Sequence, residues 1–356
     1  MADYKNIFYI IYGLSVLFGL FTALNLDFFK KNYRNLDGYL VLLILLSYVL
    51  LFGLRGIDIG TDTHMYHYQY ENYDHITYGT DVTVGLIYWF LNIFSENPQV
   101  FLLFMGFLFI SIYFYALKKH THFYNSNFYL SVFCLVSLFF FESLGINIIR
   151  QGVSLSFFVL AITSRAIYPQ KKAKWILLLL LSICFHFTSI IPILLYLIVF
   201  YFKNIKIKYY YLLYALTVFL AAASISILSF KDYFLGFLLI DERRSVYLED
   251  NDFDYTIGFK PQFVAFNTVF LLLFAYLNKK QNNESYTNLL KYYIAISSLF
   301  FMMFQIPYSD RWGVMSWCVI PFLFAPLFKV DKNRISAKAT LSVAFLILIF
   351  IFFQTR

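Results

Sequence analysis

Charge is what this sequence has least of. Charged residues make up 13% of 356 residues, about half the roughly 25% of ordinary soluble domains, while 61% of the chain is hydrophobic. That balance excludes a water-soluble globule. Cysteine is scarce as well: Cys134, Cys184 and Cys318 lie inside apolar stretches with no pairing interval, so neither a disulfide framework nor a metal knuckle is indicated. There is no repeat of fixed period, no low-complexity linker and no coiled-coil heptad. The first apolar block, 7–26, has neither a basic leader nor a small-residue cleavage site, and reads as a retained span. No soluble domain is expected before or after it.

What the chain does have is long apolar blocks separated by short charged ones, the pattern of repeated membrane crossings. The expected fold is therefore all-α, one polytopic membrane domain covering 1–356. The net charge of +8 could suggest nucleic acid. Basic residues beside apolar blocks, however, set membrane orientation, and no nucleic-acid partner is expected. Blocks that can cross a hydrocarbon core of about 30 Å run over 7–26, 38–54, 98–117, 128–142, 147–164, 209–230, 262–278, 291–304, 313–328 and 338–353. Trp175 to Phe202 has no charge at all, and as one straight helix it would measure about 42 Å.

That stretch is either one tilted span or a tight hairpin, and the basic residues separate the two. A hairpin turning near His186-Phe187-Thr188-Ser189 places 19 of 28 basic residues in short internal loops; a single span places only 15 there. The hairpin is preferred, giving about twelve membrane segments, two of them short. On this topology 16 of 20 acidic residues face outward, as do the two longest polar stretches, about 55–83 and 231–261. Chemistry is expected on that outer face. Val84 to Phe94 is apolar but too short to span, and suits a surface helix.

Four polar clusters stand at the outer ends of spans. The first runs from Arg55 through Asp58, Gly60, Thr61 and Asp62 to His64 and Tyr66. Its glycines let backbone approach a ligand, Arg55 can clamp an oxyanion, and Asp58 or Asp62 can take a proton or bind sugar hydroxyls. An interfacial anchor followed by a solvated turn is the competing reading. The second, Asn147 with Arg150 and Gln151, opens a span, where free N–H groups favour anions such as phosphate; a structural Arg150–Glu142 pair is its alternative. His186 with Thr188 and Ser189 supplies an imidazole that is either a base or a packing residue. Asp310 and Arg311 sit in a polar break that is either a third arginine site or an aromatic-lined turn.

The long loop adds Arg243, Arg244 and Tyr247, then Asp250, Asp252 and Asp254, read mainly as solvated acid. Asp62, His64 and His67 have metal-compatible spacing on a helix, but without a further placed ligand no metal site is assigned. Together the arginines suggest an anionic lipid headgroup, with carboxylates and His186 left for a hydroxyl-bearing partner.

At these residues the sequence resembles the EpsG-like, Wzy-type polymerases of bacterial exopolysaccharide, capsule and O-antigen. The resemblance rests on Arg55 followed by Gly60-Thr61-Asp62 and Tyr66, on Asn147 with Arg150-Gln151, on His186-Phe187-Thr188-Ser189, and on Asp310-Arg311, spread over roughly 40–315. It implies a GT-C-like glycosyltransferase architecture in the bacterial cytoplasmic membrane with the active face outward. The implied substrate is undecaprenyl-diphosphate-linked oligosaccharide, delivered by a flippase, with a chain-length regulator as a further partner. It also implies transfer of the growing glycan to the non-reducing-end hydroxyl of another lipid-linked repeat, without metal or other cofactor. On this basis Arg150 and Arg311 would hold the diphosphate with help from Arg55, and Asp62 or His186 would act as base. Tyr66 and Tyr247 would contact sugars. A flippase or transporter of the same lipid would favour internal repeats and mid-membrane polar sites, which are not seen. An O-antigen ligase would use similar arginines and a histidine.

Overall fold

In a computed structural model of the chain, residues 2–25, 34–75, 82–230, 257–329 and 335–354 are described. Among them the regular structure is helical, with one isolated antiparallel bridge, Ser126 to Lys329. Six helical stretches are long and apolar enough to cross a membrane: Asp3–Leu24, Leu36–Gly53, Gln99–Tyr124, Pro261–Gln281, Asp310–Phe328 and Ala337–Gln354. A seventh is possible if Phe128–Val136 and Phe140–Ile146, bent by 78°, form one broken span. The remaining expected segments also coincide with helices, but these are shorter or more polar. Ile149–Ile167 and Glu284–Met302 each have 19 residues, long enough to span. Their polar residues are tolerated because both helices are lined by protein.

The chain divides into two compact units, 1–191 with 324–356, and 192–323. The first contains α1 (Ala2–Leu24), α2 (Arg34–Gly53), α3 (Thr63–Glu71), α4 (Val82–Asn92), α5 (Gln99–Tyr124), α6 (Phe128–Val136), α7 (Phe140–Ile146), α8 (Ile149–Ile167) and α9 (Lys172–Phe185). The last helix of the chain, Ile335–Gln354, packs on α1 in the same unit. At its centre is α8, which packs on α5 and α9 and buries every residue from Gln151 to Arg165 except Phe157.

Small side chains allow close approach at neighbouring contacts, of α8 to α7 and of α2 to α5. A Cβ on Gly152 would lie 2.6 Å from the Leu144 carbonyl oxygen, and one on Gly53 2.6 Å from the Leu103 Cα. Hydroxyls then satisfy the polar groups between helices. Ser156 donates to the carbonyls of Gly152 at 2.8 Å and Phe109 at 3.1 Å, while Ser182 of α9 donates to the Ser154 carbonyl at 2.8 Å. The surface helix is α4: Tyr88 packs inward on Phe101, with ring centroids 4.4 Å apart, and Leu86, Trp89 and Phe90 are exposed.

The second unit contains α10 (Ile190–Tyr201, from Pro192 onward), α11 (Ile207–Ala222), α12 (Pro261–Gln281), α13 (Glu284–Met302), α14 (Asp310–Trp317) and most of α15 (Ile320–Phe324). Here α13 is central, against α11, α12 and α14. Its tyrosines bond across the core: Tyr286 to the Leu323 carbonyl, Tyr292 to the Met315 carbonyl, and Tyr293 to Asn267 Oδ1 at 3.0 Å. Trp317 Nε1 donates to the same Asn267 oxygen at 3.0 Å.

Gly53→Ala and Gly152→Ala should each destabilise the purified protein by about 1–3 kcal/mol, because the atoms they meet are backbone and cannot rotate away. Gly13→Ala, where nothing lies within 4 Å of the added carbon, should leave the melting temperature in detergent unchanged or slightly raised. Equal melting temperatures for all three variants would refute this packing.

Candidate functional site

Two of the four sequence clusters meet in the first unit at the joint between α7 and α8, and a third is tied to α8 about one turn further on. The first element to place is Arg55. It follows the end of α2, is only 2% exposed, and turns its guanidinium inward. Nε donates to Thr63 Oγ1 at 3.1 Å, Nη2 to the Ile146 carbonyl at 3.1 Å, and Nη1 to the carbonyls of Phe52 and Gly145. These carbonyls belong to the last turns of α2 and α7, which have no acceptor-satisfying partner within their own helices. A cation there also meets the negative end of each helix dipole. Burial lowers the Arg55 pKa to about 10, opposed by Tyr4 and Tyr66, so it stays protonated at neutral pH. The guanidinium thus pins two helix ends and the start of α3, Nη1 and Nη2 donating to backbone and Nε to the Thr63 hydroxyl.

The pin fixes the following loop. Gly60 has φ of 91°, a conformation that favours glycine, and a Cβ there would lie 2.8 Å from Asn147 Oδ1. This close approach lets the Thr61 N–H donate to Asn147 Oδ1 at 2.8 Å. The Thr61 hydroxyl lies 3.1 Å from Asp62 Oδ1 and 3.4 Å from Asn147 Oδ1. Tyr66 donates to the Asn147 carbonyl at 3.1 Å. The Gly-Thr-Asp turn is therefore docked on Asn147, and Arg150 is the second residue of α8, three positions further on.

The turn holding His186 is tied to the same helix. Here α9 ends at Phe185, His186 is extended, and a 3-10 turn spans Phe187–Ser189. Ser189 and Ser154 share a short hydroxyl–hydroxyl bond, Ser154 also donates to the Ser182 carbonyl at 2.6 Å, and Phe185 stacks on Phe157 at 5.4 Å. Ser154 is one helical turn past Arg150.

Burial divides the expected site residues. Tyr66 and Gln151 are 1% and 3% exposed, and the Tyr66 hydroxyl supports Asn147. Asp58 is exposed and sits 3.4 Å from His64 Nε2, on the outside of the loop. Asp62, Asn147, Arg150 and His186 are half-buried, polar and partly accessible. On α3, burial lowers the pKa of His67 despite Glu71, leaving the ring neutral at pH 7. Among the described residues no three His, Cys, Asp or Glu side chains are grouped to hold a metal ion. Arg243, Arg244 and Tyr247, with Asp250, Asp252 and Asp254, lie outside the described residues.

The fourth cluster belongs to the second unit. Asp310 and Arg311 open α14 rather than lying in a turn before it, because Tyr308 adopts a left-handed backbone, φ 57°, that redirects the chain. The Arg311 guanidinium lies over the Tyr308 ring at 4.9 Å. Lys260, which counted in the sequence only as a loop charge, is buried beside this cluster, with Nζ 3.0 Å from Ser309 Oγ. Burial lowers its pKa and Asp310 partly restores it. The sequence signal for Lys260 was its place directly before Pro261 and an apolar span.

Asn147→Ala removes the acceptor of the Thr61 N–H, and should loosen the loop by about 1–3 kcal/mol. Hydrogen exchange over 56–66 should accelerate, while α5 remains protected. An unchanged exchange pattern would show that Asn147 does not anchor the turn.

The fragments that sequence reading joined by resemblance are thus, in three cases out of four, neighbours in one unit. No curated protein and no solved structure shows significant similarity to the chain. A family model described as the EpsG family matches residues 38–356, which include every element of the site just described. On that match the chain belongs to the EpsG family, whose membership is consistent with a polysaccharide polymerase.

Proposed function

We propose that the protein is a membrane glycosyltransferase that polymerises lipid-linked glycan on the outer face of the bacterial cytoplasmic membrane. It transfers the growing chain from undecaprenyl diphosphate to the non-reducing-end hydroxyl of a second lipid-linked repeat unit. In this reading the chain crosses the membrane about twelve times in a GT-C-like arrangement, and a flippase supplies the substrate. The observation that carries the reading is the docking of the Gly60-Thr61-Asp62 turn on Asn147, beside the α8 end that bears Arg150. A carboxylate and a guanidinium are thereby held on one joint.

The reaction needs those two groups. The acceptor oxygen attacks the anomeric carbon, the bond from that carbon to the diphosphate oxygen breaks, and the diphosphate leaves with the electron pair. Arg150, at the positive end of the α8 dipole, stabilises the charge that builds on the diphosphate. Asp62 or His186 takes the proton from the acceptor hydroxyl. Arg55 acts as a positioning residue, holding the loop that carries Asp62. Arg311 enters from the sequence as a further phosphate contact on the second unit, and Arg243, Arg244 and Tyr247 as contacts from the long loop. Charge stabilisation by arginine leaves no step that requires a metal.

Deletion in the native host should leave single repeat units on the outer face, and wild-type protein should restore long chains. Arg150→Ala, at normal protein level, should reduce elongation about a hundredfold or more. Of Asp62→Asn and His186→Ala, the variant lacking the base should lose about 10²–10⁴-fold. Full elongation by both would remove the assignment of the base. Repeat units trapped inside would identify a flippase instead, and long chains left on the lipid carrier a ligase. Activity in purified membranes should survive EDTA; loss with rescue by manganese would overturn the metal-free mechanism.

A further inference from the structure

The side-chain hydrogen bonds of Ser154 all lead to the turn that holds His186. Its side chain is buried, as are those of Ser182 and Ser189, which stand on either side of that turn. The three hydroxyl protons are placed by elimination. Ser154 donates to the Ser182 carbonyl at 2.6 Å, and Ser182 uses its own proton on the Ser154 carbonyl at 2.8 Å. The bond between the Ser154 and Ser189 hydroxyls is then donated by Ser189. A chain of donors therefore runs from Ser189 through Ser154 on α8 to the last turn of α9.

Both ends of this chain are bonded to the backbone of His186. The Ser182 carbonyl that accepts from Ser154 also accepts the His186 N–H at 3.2 Å, and the Ser189 N–H donates to the His186 carbonyl at 3.0 Å. The two amide groups that flank the imidazole are thus each linked to the same hydroxyl through one residue. His186 itself is extended, φ −157° and ψ 111°, so the helical ladder of α9 does not continue through it and these bonds fix it instead. The side chains of His186, Phe187 and Thr188 are half-buried, whereas the serines that close the turn are fully enclosed. Ser154 follows Arg150 by four residues, on the same face of α8 and about 6 Å along its axis.

We propose that Ser154 is a positioning residue for His186, holding the imidazole at a fixed distance from Arg150. The inference rests on the polymerase reading given above and takes His186 as the group that accepts the proton of the attacking hydroxyl. Ser154 exchanges no proton with the substrate and acts only through the backbone of the turn. Precision matters there, because a displacement of about 1 Å at a reacting group costs on the order of a hundredfold in rate. Alanine at 154 would leave the Ser189 hydroxyl to find another acceptor inside the protein, and the turn would shift to provide one.

Elongation by the full-length protein in proteoliposomes is measured with radiolabelled lipid-linked repeat units extracted from a host that lacks the gene. Ser154→Ala should lower kcat about tenfold or more while KM stays within about twofold of wild type. Ser189→Ala, which removes the donor at the other end of the chain and leaves α8 unaltered, should do the same, and it carries the comparison if Ser154→Ala does not accumulate. Added to His186→Ala, either serine substitution should slow elongation no further, because nothing is left to position. A serine that only stabilises the fold would lower the rate by the same factor in both backgrounds, and that result overturns the inference. Full activity of Ser154→Ala beside an inactive Arg150→Ala overturns it too and leaves the polymerase reading intact. Full activity of His186→Ala likewise overturns it, with Asp62 remaining as base. Failure of wild type to join the repeat units removes the polymerase reading itself.

Discussion

A single guanidinium ties together the ends of two helices and the loop that leads from the first of them into α3. In a mostly apolar chain, the last carbonyls of a helix cannot all rely on water, and leaving them unbonded is costly. Arg55 meets that requirement for α2 and α7 at once, donating to Phe52, Gly145 and Ile146. Its Nε reaches Thr63, so the start of α3 is held by the same group. Lysine could not replace it there, since one ammonium cannot spread donors over three directions in a plane. The position of Asn147, and through it the Gly-Thr-Asp turn, follows from this arrangement.

The interior of α8 obeys a second constraint. A helix surrounded by protein in a membrane gains little from burying apolar surface against lipid, and instead needs close contact and satisfied polar groups. Gly152 permits close contact with α7, while Ser154, Ser156 and Ser182 bond to backbone across the contacts with α5 and α9. These serines also bear on the start of α8, where the proposed function places Arg150. They lock it to α5 and α9, so that Arg150 and the turn after α9 keep a fixed relation to the joint. The second unit meets the same need differently, with tyrosine hydroxyls and Trp317 converging on carbonyls and on Asn267.

The distribution of arginines in the sequence carried two meanings that only burial separates. Arg55 and Arg150 both stand at span ends, and both read as anion clamps. Arg55 is enclosed by carbonyls, whereas Arg150 is half-buried at an entering helix end. Tyr66 shows the same ambiguity: an aromatic beside a polar motif suits a sugar contact, yet its ring packs against Phe101, with centroids 6.0 Å apart, and its hydroxyl serves Asn147. Lys260 was hidden for the opposite reason. One basic residue before a span is commonplace, and its burial beside Ser309 depends on a contact 49 residues away.

By itself the sequence determined the membrane class, the helical fold, the approximate positions of the helices and the family resemblance. The first three follow from composition and from apolar runs, which depend on each residue and its near neighbours alone; the resemblance rests on short motifs such as Gly60-Thr61-Asp62 and Arg150-Gln151. The break at His186 was likewise legible, because an uncharged stretch of that length is either a tilted span or a hairpin, and the basic residues on either side favoured the hairpin. Which polar side chains support the structure, and which are left to meet a substrate, was decided only by tertiary packing. Two of the four acceptors of Arg55, the Gly145 and Ile146 carbonyls, lie about 90 positions away, and no local pattern encodes that distance.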